Sequence, residues 1–180
     1  MLTKLIISLI ITIAITFFVP SVSFASPYGV GIYNANVPYG GETQLTISTS
    51  GAISIPINPS VGGTLGSASG TVTVVSTDVV GYKLYVRALT STNMVNGVAS
   101  LPASANGSPA ALATNTWGYN LDASTNFTGI TSSDVLIRSA VGPFTSGDTT
   151  TVTYGVKIDQ SKAAGNYSTT VIYTAVPQTT

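Results

Sequence analysis

The chain's residue pattern predicts an all-β fold, a sandwich of roughly seven to nine short antiparallel strands. Three observations support this. Apolar residues recur at every second position, the spacing of a half-buried strand rather than a helix. Those stretches are rich in Thr, Val, Ile and Tyr, which suit a pleated surface. Between them stand Gly, Pro, Asn and Asp, the residues of tight turns.

The first segment, Met1–Ala25, is a leader rather than part of the fold. Lys4 is the one charge before the apolar run Leu5–Val19, Pro20 breaks that run, and Ser23 and Ala25 place small residues where a signal peptidase reads. A retained membrane anchor is the alternative, but the run is short of the roughly 20 residues that span a bilayer. Cleavage after Ala25 leaves a chain that starts near Ser26 and works outside the cell, with no membrane span. Residues 26–41 are irregular and read as an arm or edge strand, with a weak strand at Gly31–Asn34. The sandwich domain is expected over residues 42–177, with a short tail at 178–180.

Within the domain the strands follow in order. Thr43–Thr49, Ala52–Ile57 and Gly70–Thr77 are β-rich runs. In Tyr82–Ala88, Tyr82, Leu84, Val86 and Ala88 face one way, and Lys83, Tyr85 and Arg87 the other. Weaker strands are placed at Thr116–Leu121 and Asp134–Arg138. Val152, Tyr154, Val156 and Ile158 alternate through Thr151–Asp159, and Tyr167, Val171, Tyr173 and Ala175 do so near the end. Turns are expected at Gly40-Gly41, Asn58-Pro59, Gly62-Gly63, Asn96-Gly97, Gly142-Pro143 and Gly147-Asp148. Ser91–Thr116 reads as one long loop, with a single helical turn at Ala110–Ala113. Lys83, Arg87, Arg138 and Lys157 read as solvated charges on strand faces that also discourage edge-to-edge pairing.

Composition narrows the function. Charged residues make up 7% of the chain, against roughly 25% in a typical domain. No cluster of Lys or Arg exists, which argues against nucleic acid and anionic membrane surfaces as partners. There is no Cys and no His. Thiol chemistry, the commonest general base and the commonest transition-metal ligands are thus absent, and no enzymatic role or cofactor is expected.

The carboxylates are Glu42, Asp78, Asp122, Asp134, Asp148 and Asp159, and no local motif pairs them. Asp78, Asp134 and Asp148 are read as turn residues. Asp122 with Asn126 is the densest oxygen cluster but lacks the spacing of a calcium loop. Ser161-Lys162 are adjacent, but neighbours on a strand point to opposite faces and this pair falls in an expected turn, so no Ser-Lys nucleophile is read there. Three sequons, at Asn106, Asn126 and Asn166, matter only in a glycosylating host. The aromatic lead is Trp117, the single tryptophan. With Tyr119, Asn120 and Asp122 it could form a platform for stacking on sugars. Alternation instead places Trp117, Tyr119 and Leu121 on one face, and Leu121 favours burial of that face.

Four segments in this order carry a resemblance: Ser76–Leu84, Asn115–Tyr119, Thr149–Lys157 and Ala164–Ala175. The series resembles small secreted surface proteins of bacteria, of the kind found in Saccharibacteria. It is loosely similar to WxL cell-wall domains and to pilin-like adhesin sandwiches. The resemblance implies an immunoglobulin-like β-sandwich without catalytic activity, displayed on the cell surface, with cell-surface or cell-wall components as partners. Trp117-Gly118-Tyr119 has Tyr where the WxL motif needs Leu. The expected function is adhesion or surface-layer or fibre structure, with self-assembly by β-augmentation through the arm Ser26–Val37. The alternative is a carbohydrate-binding module using Trp117 and Tyr119, with glycans as ligands.

Overall fold

The computed structural model describes residues 43–178. The expected leader, the expected arm at 26–41 with its weak strand at Gly31–Asn34, the expected Gly40-Gly41 turn and the last two residues of the expected tail lie outside the described residues. Nine strands and no helix form among those described. They are β1 (Gln44–Thr49), β2 (Thr64–Thr77), β3 (Gly81–Ala88), β4 (Met94–Asn96), β5 (Ala99–Leu101), β6 (Thr116–Asn120), β7 (Val135–Val141), β8 (Phe144–Ile158) and β9 (Val171–Gln178).

The larger sheet runs β1-β2-β8-β6, the second β7-β3-β9, and β4-β5 is a separate hairpin. Every strand pair is antiparallel. One hydrophobic cluster draws on both sheets: Val72, Val74, Val152, Tyr154 and Val156 from the larger, Tyr82, Leu84, Val86 and Ala140 from the smaller. The arrangement is all-β and consistent with a β-sandwich.

Several elements differ from the sequence expectation. β2 begins at Thr64 and β8 at Phe144, so both outrun the predicted Gly70–Thr77 and Thr151–Asp159. Gly66, Ala68 and Gly70 fall on the inward face of β2, where small residues hide the apolar alternation. Gly147-Asp148 is not a turn. It sits in a bulge of β8 where the register with β2 shifts between Val74 and Ser76, and Gly147 takes φ +87°. β7 extends past Arg138 to Val141, and β9 starts at Val171 and takes in Gln178.

The long loop contains the β4-β5 hairpin, which turns at Gly97-Val98, one residue on from the expected Asn96-Gly97. No helical turn forms at Ala110–Ala113; Ala110 instead bridges Phe127 in antiparallel fashion. The charged strand residues do not guard edges as a group. β3 and β8 each have a strand on both sides, so Lys83, Arg87 and Lys157 are central, and only Arg138 is on an edge strand.

The largest departure is Ala52–Ile57, expected as a strand. Ile53, Ile55 and Ile57 do alternate inward and pack against the core. No backbone–backbone hydrogen bond is made by residues 51–59 among the described residues, so the segment is extended but unpaired. Its isoleucines rest on the glycines of β2. A Cβ at Gly66 would meet Ile57 Cγ1 at 2.7 Å, and one at Gly70 would meet Ile53 Cδ1 at 2.6 Å.

Candidate interaction surface

The residues expected to form an aromatic platform are not assembled into one. Trp117 is 0% exposed and Tyr119 4%. The Trp117 indole Nε1 donates to Thr92 O at 2.9 Å, and its ring packs at 6.4 Å, tilted, against Tyr154. Asn120 is also buried, and its amide donates to Ser124 O and Asn126 O, holding the loop after β6. Asp122 is exposed at the tip of that loop and accepts from Ser124 N, a bond that lowers its pKa. Of this set, only Asp122 presents its side chain to solvent.

β6 is enclosed on both faces, which period-two alternation does not anticipate. Trp117 and Tyr119 face the core, while Gly118 stands opposite Gly155 on the other face. The Phe127 ring, fully buried, fills the dent these glycines leave. Leu121, the residue whose apolar character argued for burial, lies beyond the strand and is 43% exposed.

Asp122, Asp134, Asp148 and Asp159 are engaged in structure, whereas Asp78 Oδ1 is buried without a hydrogen-bond partner among the described residues. Asp148 accepts from Arg138 Nε at 2.8 Å and Nη2 at 2.7 Å, and from Tyr82 Oη at 2.8 Å. This joins β7 and β3 of the smaller sheet to β8 of the larger. Arg138 is therefore not a free solvated charge, and Asp148 is not a turn residue; the bulge at Gly147 directs its carboxylate between the sheets. Burial first, and the bond to Asp148 second, raise the Tyr82 pKa. Asp134 lies 3.4 Å from Arg87 Nε. Asp159 accepts from Ser161 Oγ and Asn115 Nδ2, which lower its pKa. That leaves Ser161 tied to Asp159 while Lys162 Nζ donates to Ser100 O, so the two side chains are not brought together. No group of three or more potential metal ligands occurs among the described residues. The Asn106 side-chain amide donates to Ala110 O, Ala111 O and Phe127 O.

Among the described residues, an edge that sequence reasoning missed leaves room for a partner. A cavity of about 950 Å³ opens between residues 53–59 and 160–167, with Leu101, Val156 and Ile158 at its floor. A second, of about 280 Å³, continues it past Ile53 between residues 49–53 and 170–173, floored by Gly70, Val72 and Tyr154. Together they make a groove along one side of the molecule. Its floor is the inward face of the larger sheet. One wall is the unpaired isoleucine segment, and the other is β9 with the irregular stretch leading into it. The signal available in sequence was the Ile53-Ser54-Ile55-Pro56-Ile57 alternation, in which Pro56 lacks the N–H a paired strand would use.

No protein-family model matches the chain, and no curated protein or solved structure matches it.

Proposed function

We propose that this chain is a non-catalytic, secreted protein of the cell surface, acting in adhesion or as a structural unit of a surface layer or fibre. The observation that carries the reading is the open groove. Core side chains of the larger sheet line it, beside residues 51–59, which make no backbone–backbone hydrogen bond among the described residues. Such an edge is a template for association with another chain. The leader at Met1–Ala25 supports export. The Ser- and Thr-rich strands, with paired exposed hydroxyls such as Thr73–Thr149, wet the outer face without creating a charged field. An immunoglobulin-like sandwich is the finer form of the fold we propose.

Carbohydrate binding is not favoured through the residues first considered for it, because Trp117 and Tyr119 are enclosed. The test is chemical cross-linking of intact producing cells followed by detection of this chain. A ladder of multiples, or adducts with wall components, is expected. Monomer alone, released freely to the medium, would refute the reading.

A further inference from the structure

The groove has the dimensions of a missing strand. Its floor runs along the larger sheet from Val72, opposite Thr150 of β8, to Ile158, eight residues along β8, roughly 26 Å at about 3.3 Å per residue. The walls stand where neighbours of an inserted strand would stand. On one side, residues 51–59 have no backbone–backbone bond among the described residues. On the other, β9 pairs with β3 along one edge, and its other edge borders the groove.

The chain itself contains a segment of matching length and pattern. Residues 28–37, Tyr-Gly-Val-Gly-Ile-Tyr-Asn-Ala-Asn-Val, would extend about 30 Å as a strand. Tyr28, Val30 and Ile32 share one face, with Gly29 and Gly31 between them, and none of the ten residues is charged. Asn34 and Asn36 follow on the same face.

Direction decides whose segment fits. β9 runs toward the end of the molecule where Gly81 and Thr77 lie, because Gln178 pairs with Gly81 and Val171 with Ala88. β1 starts at that same end, with Gln44 opposite Thr77. An arm entering from its own Thr43 would hold Val37 at this end and lie parallel to β9. Parallel pairing is the less stable kind per residue, and every strand pair in the fold is antiparallel. It would also set Asn34 and Asn36 beside Val72, Val171 and Tyr173 at the apolar end of the groove. In the opposite sense, Tyr28, Val30 and Ile32 meet that apolar end. The asparagines then reach the end carrying Asn58, Gln160 and Asn166. Only an arm from another molecule enters freely in this sense.

We infer that the groove receives residues 28–37 of a second copy of this chain, laid antiparallel to β9 as an added strand of the smaller sheet. The inference rests on the assembly reading above and names the contact that would produce it.

The test exploits the absence of native cysteine. Val30→Cys and Val171→Cys, whose side chains would share the inward face, are introduced in separate full-length chains, which are expressed, purified, mixed and treated with a mild oxidant. A disulfide-linked heterodimer is expected. Absence of the heterodimer, or closure of a chain carrying both substitutions on itself as a monomer, overturns the inference. In parallel, sedimentation compares the parent with a chain lacking residues 27–37, whose fold is checked by circular dichroism. Loss of self-association in the shortened, folded chain is expected. If the shortened chain associates as the parent does, the groove contact is refuted while the assembly reading stands. If the parent itself never associates, the assembly reading falls first.

Discussion

Trp117→Ala tests whether the tryptophan holds the core or serves a surface. The indole is 0% exposed, packs on Tyr154 and donates to Thr92 O at 2.9 Å. Truncating a buried Trp to Ala costs about 3–5 kcal/mol through lost transfer energy and the cavity left behind. The indole bond contributes about 1 kcal/mol, since its loss leaves the Thr92 carbonyl unpaired. Trp117→Phe keeps most of the ring and should therefore cost about 1–2 kcal/mol. Against a total stability of about 5–15 kcal/mol, the Ala variant should still fold in the cold. Its melting temperature should drop by roughly 10–20 °C for a domain of this size. The assay is urea unfolding followed by far-ultraviolet circular dichroism, because the substitution removes the only tryptophan fluorophore. A loss below about 1 kcal/mol for Trp117→Ala would refute the reasoning, since no fully buried indole can be removed so cheaply.

Three further outcomes follow from named contacts. Asp148→Asn should destabilise by about 1–3 kcal/mol, because it removes the charge that Arg138 grips with two bonds while Tyr82 loses its acceptor strength; urea unfolding of both proteins at low and high salt checks it, and an unchanged midpoint would refute it. Gly129→Ala should prevent folding or cost several kcal/mol, roughly the upper range for point substitutions, since its Cβ would strike the backbone carbonyl of Ser104; a soluble variant with parental melting behaviour would contradict that packing. Burial, the leading cause, raises the pKa of Tyr82, Tyr119, Tyr154 and Tyr173 in the folded state. The folded chain thus holds these protons where the unfolded chain releases them. Their contribution to stability is full below about pH 10, the unfolded tyrosine value, and is lost as pH rises above it. Absorbance of ionised phenol should rise together with loss of the circular dichroism signal; reversible titration of all four near pH 10 with the fold intact would refute it.

Legibility in the sequence differed from strand to strand for a physical reason. β3 was read residue by residue because it is central in its sheet, with Tyr82, Leu84 and Val86 filling one face. The first half of β2 was missed because its inward positions are Gly66, Ala68 and Gly70, which accept neighbouring isoleucines instead of contributing apolar bulk. Ala52–Ile57 has the alternation of a strand and does bury one face, but alternation reports burial and not hydrogen bonding. At the candidate platform, Trp117 and Tyr119 were correctly placed on one face. The cover over the opposite face came from Phe127, brought in by a loop with no local relation to β6.

The sequence by itself determined that this is an all-β protein of alternating, turn-punctuated strands without His or Cys, because periodicity, turn chemistry and composition are local properties. Tertiary structure decided which strands are central, that Asp148 binds Arg138 and Tyr82 between the sheets, and that the described residues leave a groove beside β9. Those features depend on strand order, register and a single bulge, which join residues far apart along the chain and leave no mark on the residues near each one.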